Sequence, residues 1–119
     1  METLFLVCQI VLGAYFFFSG VEHFTKAKGL IDYSKYKKVP MPEVGVYLSG
    51  VVLVLGGLGI ATQMQLFWSY SLLAVLLIAF AVMIHDFWKT TDEKQKMTDK
   101  IMFQKNIAIA AALLMLLAK

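Results

Sequence analysis

Four stretches almost free of charge, roughly residues 3–21, 44–61, 66–84 and 101–118, restrict this chain more than any other feature. A bilayer core takes about 20 apolar residues per helix, and each stretch reaches that length with little to spare. A soluble bundle of the same size needs helices with polar outer faces, and Val51–Ile60 and Ser71–Ile84 have none. With 60% apolar residues, 16% charged residues and mean hydropathy +0.73, 119 residues cannot hide so much apolar surface from water. The chain therefore reads as all-α: one integral membrane domain of four antiparallel helices.

The first stretch begins with Glu2, lacks a basic leader and shows no small-x-small cleavage site, so it is expected to stay as a helix rather than leave as a signal peptide. Cys8 is the only cysteine, which leaves no internal disulfide and no CxxC centre. All eleven basic residues are lysines. They gather in the first connection (Lys26, Lys28, Lys35, Lys37, Lys38) and the third (Lys89, Lys94, Lys96, Lys100), whereas Thr62-Gln63-Met64-Gln65 has none. Positive loops stay in the cytoplasm, so both termini are expected outside and the lysine-rich loops inside. The lysines are explained by topology, and a nucleic-acid partner is not expected.

Glycines and other small residues let helices approach closely where lipid supplies no hydrophobic drive for association. Gly45, Ser49, Gly50, Gly56, Gly57 and Gly59 serve the second span, Gly13 and Gly20 the first, and Ala108, Ala110, Ala111 and Ala112 the fourth. The first connection carries Leu30, Ile31, Tyr33 and Tyr36, too apolar for a solvated linker, and predicts a short interfacial helix ending near Lys38. Val39-Pro40-Met41-Pro42 cannot continue that helix, and Pro42 starts the next, with Glu43 in its first turn. The third connection reads as hydrophilic, much of it helical extension.

The polar residues that remain converge on one face. Ser19, Glu22 and His23 close the first span, His85 and Asp86 close the third, and Gln104 and Asn106 open the fourth. Ionisable groups at the margin of the hydrocarbon are costly unless paired or used. Glu22 four residues before Lys26, and Asp86 three before Lys89, are expected to form local ion pairs. Adjacent positions on a helix point about 100° apart, so the two acid-imidazole pairs cannot easily converge as four metal ligands, and no metal is expected. Imidazoles can instead relay protons or hydrogen-bond a quinone-like or lipid-like headgroup. No serine or cysteine sits in a nucleophile elbow.

The order FFFSGVEHF, VPMP, LVLGGLGI, IHDFW and QKNIAIAAALL, running the length of the chain, resembles the DoxX family of small four-helix bacterial and archaeal membrane proteins. The matching positions are Ser19, Gly20, His23, Pro40, Gly56, Gly57, His85 and Asn106. Many relatives carry an acid inside the second helix ahead of the glycine pair, where this chain has Tyr47-Leu48-Ser49-Gly50. The resemblance implies a redox-associated membrane protein, relatives including a subunit of a thiosulfate:quinone oxidoreductase. Three functions follow as expectations. The first is a subunit with no intrinsic cofactor that binds quinone or lipid and serves a redox partner protein. The others are a non-catalytic scaffold and, as a homo-oligomer, a small transporter unit. For topology, Lys94→Cys in a Cys8→Ala background is expected to label only from the cytoplasmic side; labelling from outside reverses the orientation.

Overall fold

The computed structural model describes all 119 residues as a helical protein without strands. Helix α1 spans Glu2–Thr25, α2 Ala27–Tyr36, α3 Pro42–Thr62, α4 Leu66–Met83 and α5 Glu93–Ala118, with a single 3-10 turn at Phe87–Lys89. Four of the five are long and apolar enough to cross a membrane. Large apolar side chains stay exposed along all four, among them Phe18 at 63%, Leu55 at 62%, Val75 at 64% and Met115 at 73%, as lipid-facing surface requires.

The connections follow from local chemistry. Chain direction breaks at Lys26, and α2 runs from there as the expected interfacial helix, burying Ser34 while Lys28, Asp32, Lys35 and Tyr36 face out. Pro42 occupies the first turn of α3, where its missing N–H costs nothing. At the other end of α3, Gln63 adopts φ 62°. The Met64 N–H then reaches Gly59 O at 2.9 Å and the Gln63 N–H reaches Ile60 O at 3.3 Å, a Schellman closure that allows the short turn Gln63-Met64-Gln65 into α4. Asp92 caps α5 by accepting from the Gln95 N–H at 2.9 Å. At 1.5 Å per residue the 26 residues of α5 exceed a hydrocarbon core of about 30 Å, so its first two turns are the helical extension expected in the third connection.

Packing is sequential: α1 lies on α3, α3 on α4 and α4 on α5. The α1–α3 seam is set by glycine. A Cβ on Gly57 would sit 2.5 Å from both Gly13 O and Phe17 N, and one on Gly20 would sit 2.8 Å from Gly50 O, so these backbones touch directly. Across α3–α4, Gly56 receives Leu73 and Gly59 receives the Ser69 side chain. Phe16, Leu53, Ile60, Leu73 and Leu113 fill the centre. Two expectations about small residues need correcting. Gly45 has nothing within 4 Å of its missing side chain and opens onto a cavity, and of the α5 alanines only Ala110 is buried, Ala108, Ala111 and Ala112 facing outward. Local contact geometry decides which small residues pack, and apolar sequence does not reveal it.

Helix α1 has no close backbone approach to α4 or α5. Side chains span the gap instead. The Gln9 amide nitrogen lies 3.5 Å from the Tyr70 hydroxyl, the His23 ring stacks on Phe80 with centroids 6.0 Å apart, and the Lys119 ammonium stands over the Phe5 ring. Because the obstruction at Gly57 is backbone, Gly57→Ala should cost about 1–3 kcal/mol, while Gly45→Ala should be neutral or slightly stabilising. Thermal unfolding in detergent tests this; equal melting of the two variants rules out the glycine seam.

Candidate functional site

The gap between α1 and the α4–α5 pair, closed at the lysine-rich end by α2, is a cavity of about 650 Å³. Pockets for small amphipathic ligands run from about 300 to 1,000 Å³. Its walls are mostly aliphatic and aromatic. Ser19 and His23 reach it from α1, Ser49 from α3, His85 from the end of α4, and Lys105 and Asn106 from α5.

Each polar group has a traceable position. Ser49 sits in the second turn of α3, and its hydroxyl donates to Val46 O at 3.0 Å, as helical serines in lipid do. The His23 Nδ1 lies 2.9 Å from Ser49 Oγ and 3.1 Å from Val46 O. Both contacts are satisfied together only if Nδ1 carries the proton and donates, since the serine hydrogen is already used. That tautomer leaves Nε2, which makes no hydrogen bond within the chain, with its lone pair available in the cavity. Asn106 is only 7% exposed, yet neither end of its amide has a partner in the chain, and the Ser19 hydroxyl has none either. These atoms open onto the cavity; the fully buried side-chain atoms without a partner are Gln9 Oε1 and His85 Nδ1. The cavity lining thus holds donors and acceptors in reserve.

Behind His85 lies a second constellation that the sequence did not disclose. The Lys37 ammonium is 2.8 Å from Asp86 Oδ1 and 2.8 Å from Asp99 Oδ2, and all three side chains are buried. Thr90 Oγ1 donates to Asp99 Oδ2 at 3.1 Å, and the Gln95 amide donates to Asp99 Oδ1 at 3.2 Å and to the Tyr33 hydroxyl at 3.0 Å. His85 Nδ1 is buried without a hydrogen bond, 3.6 Å from Asp99 Oδ1. Burial pulls the Lys37 pKa down, but its hydrogen bonds to Asp86 and Asp99 outweigh this and hold it above the ordinary lysine value. A proton held more tightly in the folded state stabilises fully below lysine's usual pKa of about 10.4 and is lost only as pH climbs beyond it. Tyr33 is raised by burial and then by the Asp99 charge, which keeps it a neutral phenol.

Of the residues singled out from sequence, Ser19, His23, His85 and Asn106 meet at the cavity. Glu22 does not. It pairs with Lys26 at 2.8 Å on the exposed surface, the local contact expected, where such pairs contribute little. Gln104 faces outward from α5. Asp86 is buried but beside the cavity rather than in it, and its partner is Lys37 in place of the expected Lys89. The chain leaves helical geometry after Met83, so the i,i+3 spacing to Lys89 no longer places the two on one face. Sequence reasoning passed over Lys37, Asp99, Thr90 and Gln95 because all lie in the connections, where charged and polar residues are expected to face water. The available signal was the Gln95–Asp99 spacing of four on a capped helix.

Fold and cavity together define a polytopic membrane protein: a four-helix bundle with an interfacial helix closing a largely apolar chamber. The sequence pattern of the DoxX family matches residues 4–86, and the chain belongs to that family. No curated protein and no solved structure matches it.

Removing Lys37 strands two buried carboxylates. Lys37→Met should destabilise the protein by about 3–5 kcal/mol, and adding Asp86→Asn and Asp99→Asn should recover much of the loss. Unfolding in a sodium dodecyl sulfate titration measures both; a Lys37→Met protein as stable as the original removes the cluster's structural role.

Proposed function

We propose that the protein is a redox-associated membrane subunit that holds a quinone-like or lipid-like amphipathic ligand in the α1–α4–α5 cavity and presents it to a partner protein. The observation that carries this reading is the set of unpartnered hydrogen-bonding groups, Ser19, His23 Nε2 and Asn106, on the wall of an otherwise apolar chamber. A quinone carbonyl accepts from the Asn106 amide or the Ser19 hydroxyl. The hydroxyl of its reduced form donates to the His23 lone pair, so one set of residues suits both oxidation states. The association with redox complexes rests on the family resemblance. In this reading the electrons come from the partner protein. The lysine bias of the connections supports a cytoplasmic location for the polar end of the cavity.

Native mass spectrometry of the protein released gently from its membrane, with identification of what co-purifies, is the test. A stoichiometric quinone or lipid is expected, and it should be lost in the His23→Ala, His85→Ala double variant while circular dichroism shows the helices retained. A protein carrying no small molecule, or only another subunit, replaces this reading with a scaffold.

A further inference from the structure

The charges around the cavity are one-sided. None of the chain's eight acidic residues lines it, while Lys105 does, beside Asn106 and His85. Lys105 is exposed at the mouth of the cavity and, like most of the chain's lysines, has no carboxylate within 4.0 Å; what sets it apart is that it is the one lysine on the cavity wall. Asp99, 3.6 Å from His85 Nδ1, is matched by Lys37. An unmatched ammonium at the margin of a low-dielectric chamber favours an anionic occupant and disfavours a cation. The polar pocket on the other side of the cluster differs. It has Asp86 and Asp92 as well as Lys37, Lys38 and Lys89, so both signs are present there.

The far wall indicates where such an occupant comes from. Leu48, Leu72 and Val75 line the cavity and are 61%, 47% and 64% exposed on the lipid-facing surface of α3 and α4, so the chamber communicates with the bilayer. Polar groups lie at the lysine-rich end, and Leu72 and Val75 lie deeper, near the middle of α4. A molecule with an acidic head and one alkyl chain meets both conditions. Its head oxygen would accept from the Lys105 ammonium and the Asn106 amide, and its chain would leave past Leu72 and Val75.

From this we infer that the ligand of the cavity is an apolar-tailed anion drawn from the membrane, with a carboxylate or phosphate head held by Lys105 and Asn106. The inference rests on the ligand-binding reading above and names the charge of the head group. It is tested with the full chain in a neutral detergent, by native mass spectrometry after adding palmitate, hexadecyl phosphate, hexadecanol, hexadecylamine or a neutral decyl-quinone. Palmitate or hexadecyl phosphate should bind one per protein at least tenfold more tightly than the alcohol or the amine, and whichever of the two anions binds better identifies the head. Lys105→Gln should reduce anion binding to the level of the alcohol, and Lys105→Arg should retain it. Lys100→Gln, which removes an exposed charge outside the cavity, should leave it unchanged. Equal binding of palmitate and hexadecanol, or equal losses in Lys105→Gln and Lys100→Gln, overturns the inference. If the decyl-quinone binds as well as the anions and ignores Lys105, charge selection falls while the ligand-binding reading stands. If no probe binds, both fall together.

Discussion

The backbone contact between α1 and α3 organises the rest of the molecule. In lipid, helices gain nothing from hiding apolar side chains from one another, so close approach depends on dispersion and backbone proximity. Gly13 against Gly57 and Gly20 against Gly50 provide that proximity, and they commit α1 to one neighbour. An α1 pressed this closely to α3 cannot also approach α4 and α5. The space left over is bridged by Gln9–Tyr70 and His23–Phe80 and otherwise stays open. The cavity is therefore a consequence of the glycine seam. Bulkier side chains at those four positions would let α1 settle more evenly among its neighbours and fill the chamber.

The lysine-rich end needs a different device, because α2 and the stretch after α4 are short and cannot hold position by packing alone. Lys37 supplies it, joining the end of α2 to Asp86 beyond α4 and to Asp99 on α5. A buried ammonium shared by two carboxylates is weak evidence for stability by itself, since desolvation offsets much of the attraction. Its value here is geometric. Thr90, Gln95 and Tyr33 satisfy much of the remaining hydrogen-bonding capacity, which fixes three chain segments in one arrangement. The same arrangement draws both acids away from the cavity wall and leaves His85 as the side chain between the two environments.

How far the sequence reveals this differs by level. Spans, the interfacial helix and its termination at Val39-Pro40-Met41-Pro42 were legible, because hydropathy and proline geometry act locally. Ser19, His23, His85 and Asn106 were legible as a group because polar residues at matching depths of apolar spans have few places to go. Asp86 was read with the wrong partner, since the i,i+3 rule presumes a helix that in fact ends at Met83. Lys37 and Asp99 are 62 residues apart and hydrophilic in context, and no local pattern distinguishes them from lysines and acids that face water. Gly45 illustrates the converse. It belongs by sequence to a glycine-rich face, but only the register of α1 decides that Gly50 packs and Gly45 does not.

The family match ends at residue 86, before α5 begins, and this divides the chamber into two contributions. The matched part builds the container: the glycine seam, the Ser49–His23 pair that orients the imidazole, and the histidine that closes α4. Helix α5 adds Asn106 and the lysine of the lining, Lys105, together with Asp99, which pairs with Lys37 beside the cavity. Substitution on α5 can alter the charge presented to a ligand without touching the contacts that create the space. Under the proposed ligand-binding reading, a chamber whose shape and charge come from separate helices can keep its volume while its head-group preference changes, so that preference should follow Lys105 and Asn106 on α5 more closely than the histidines.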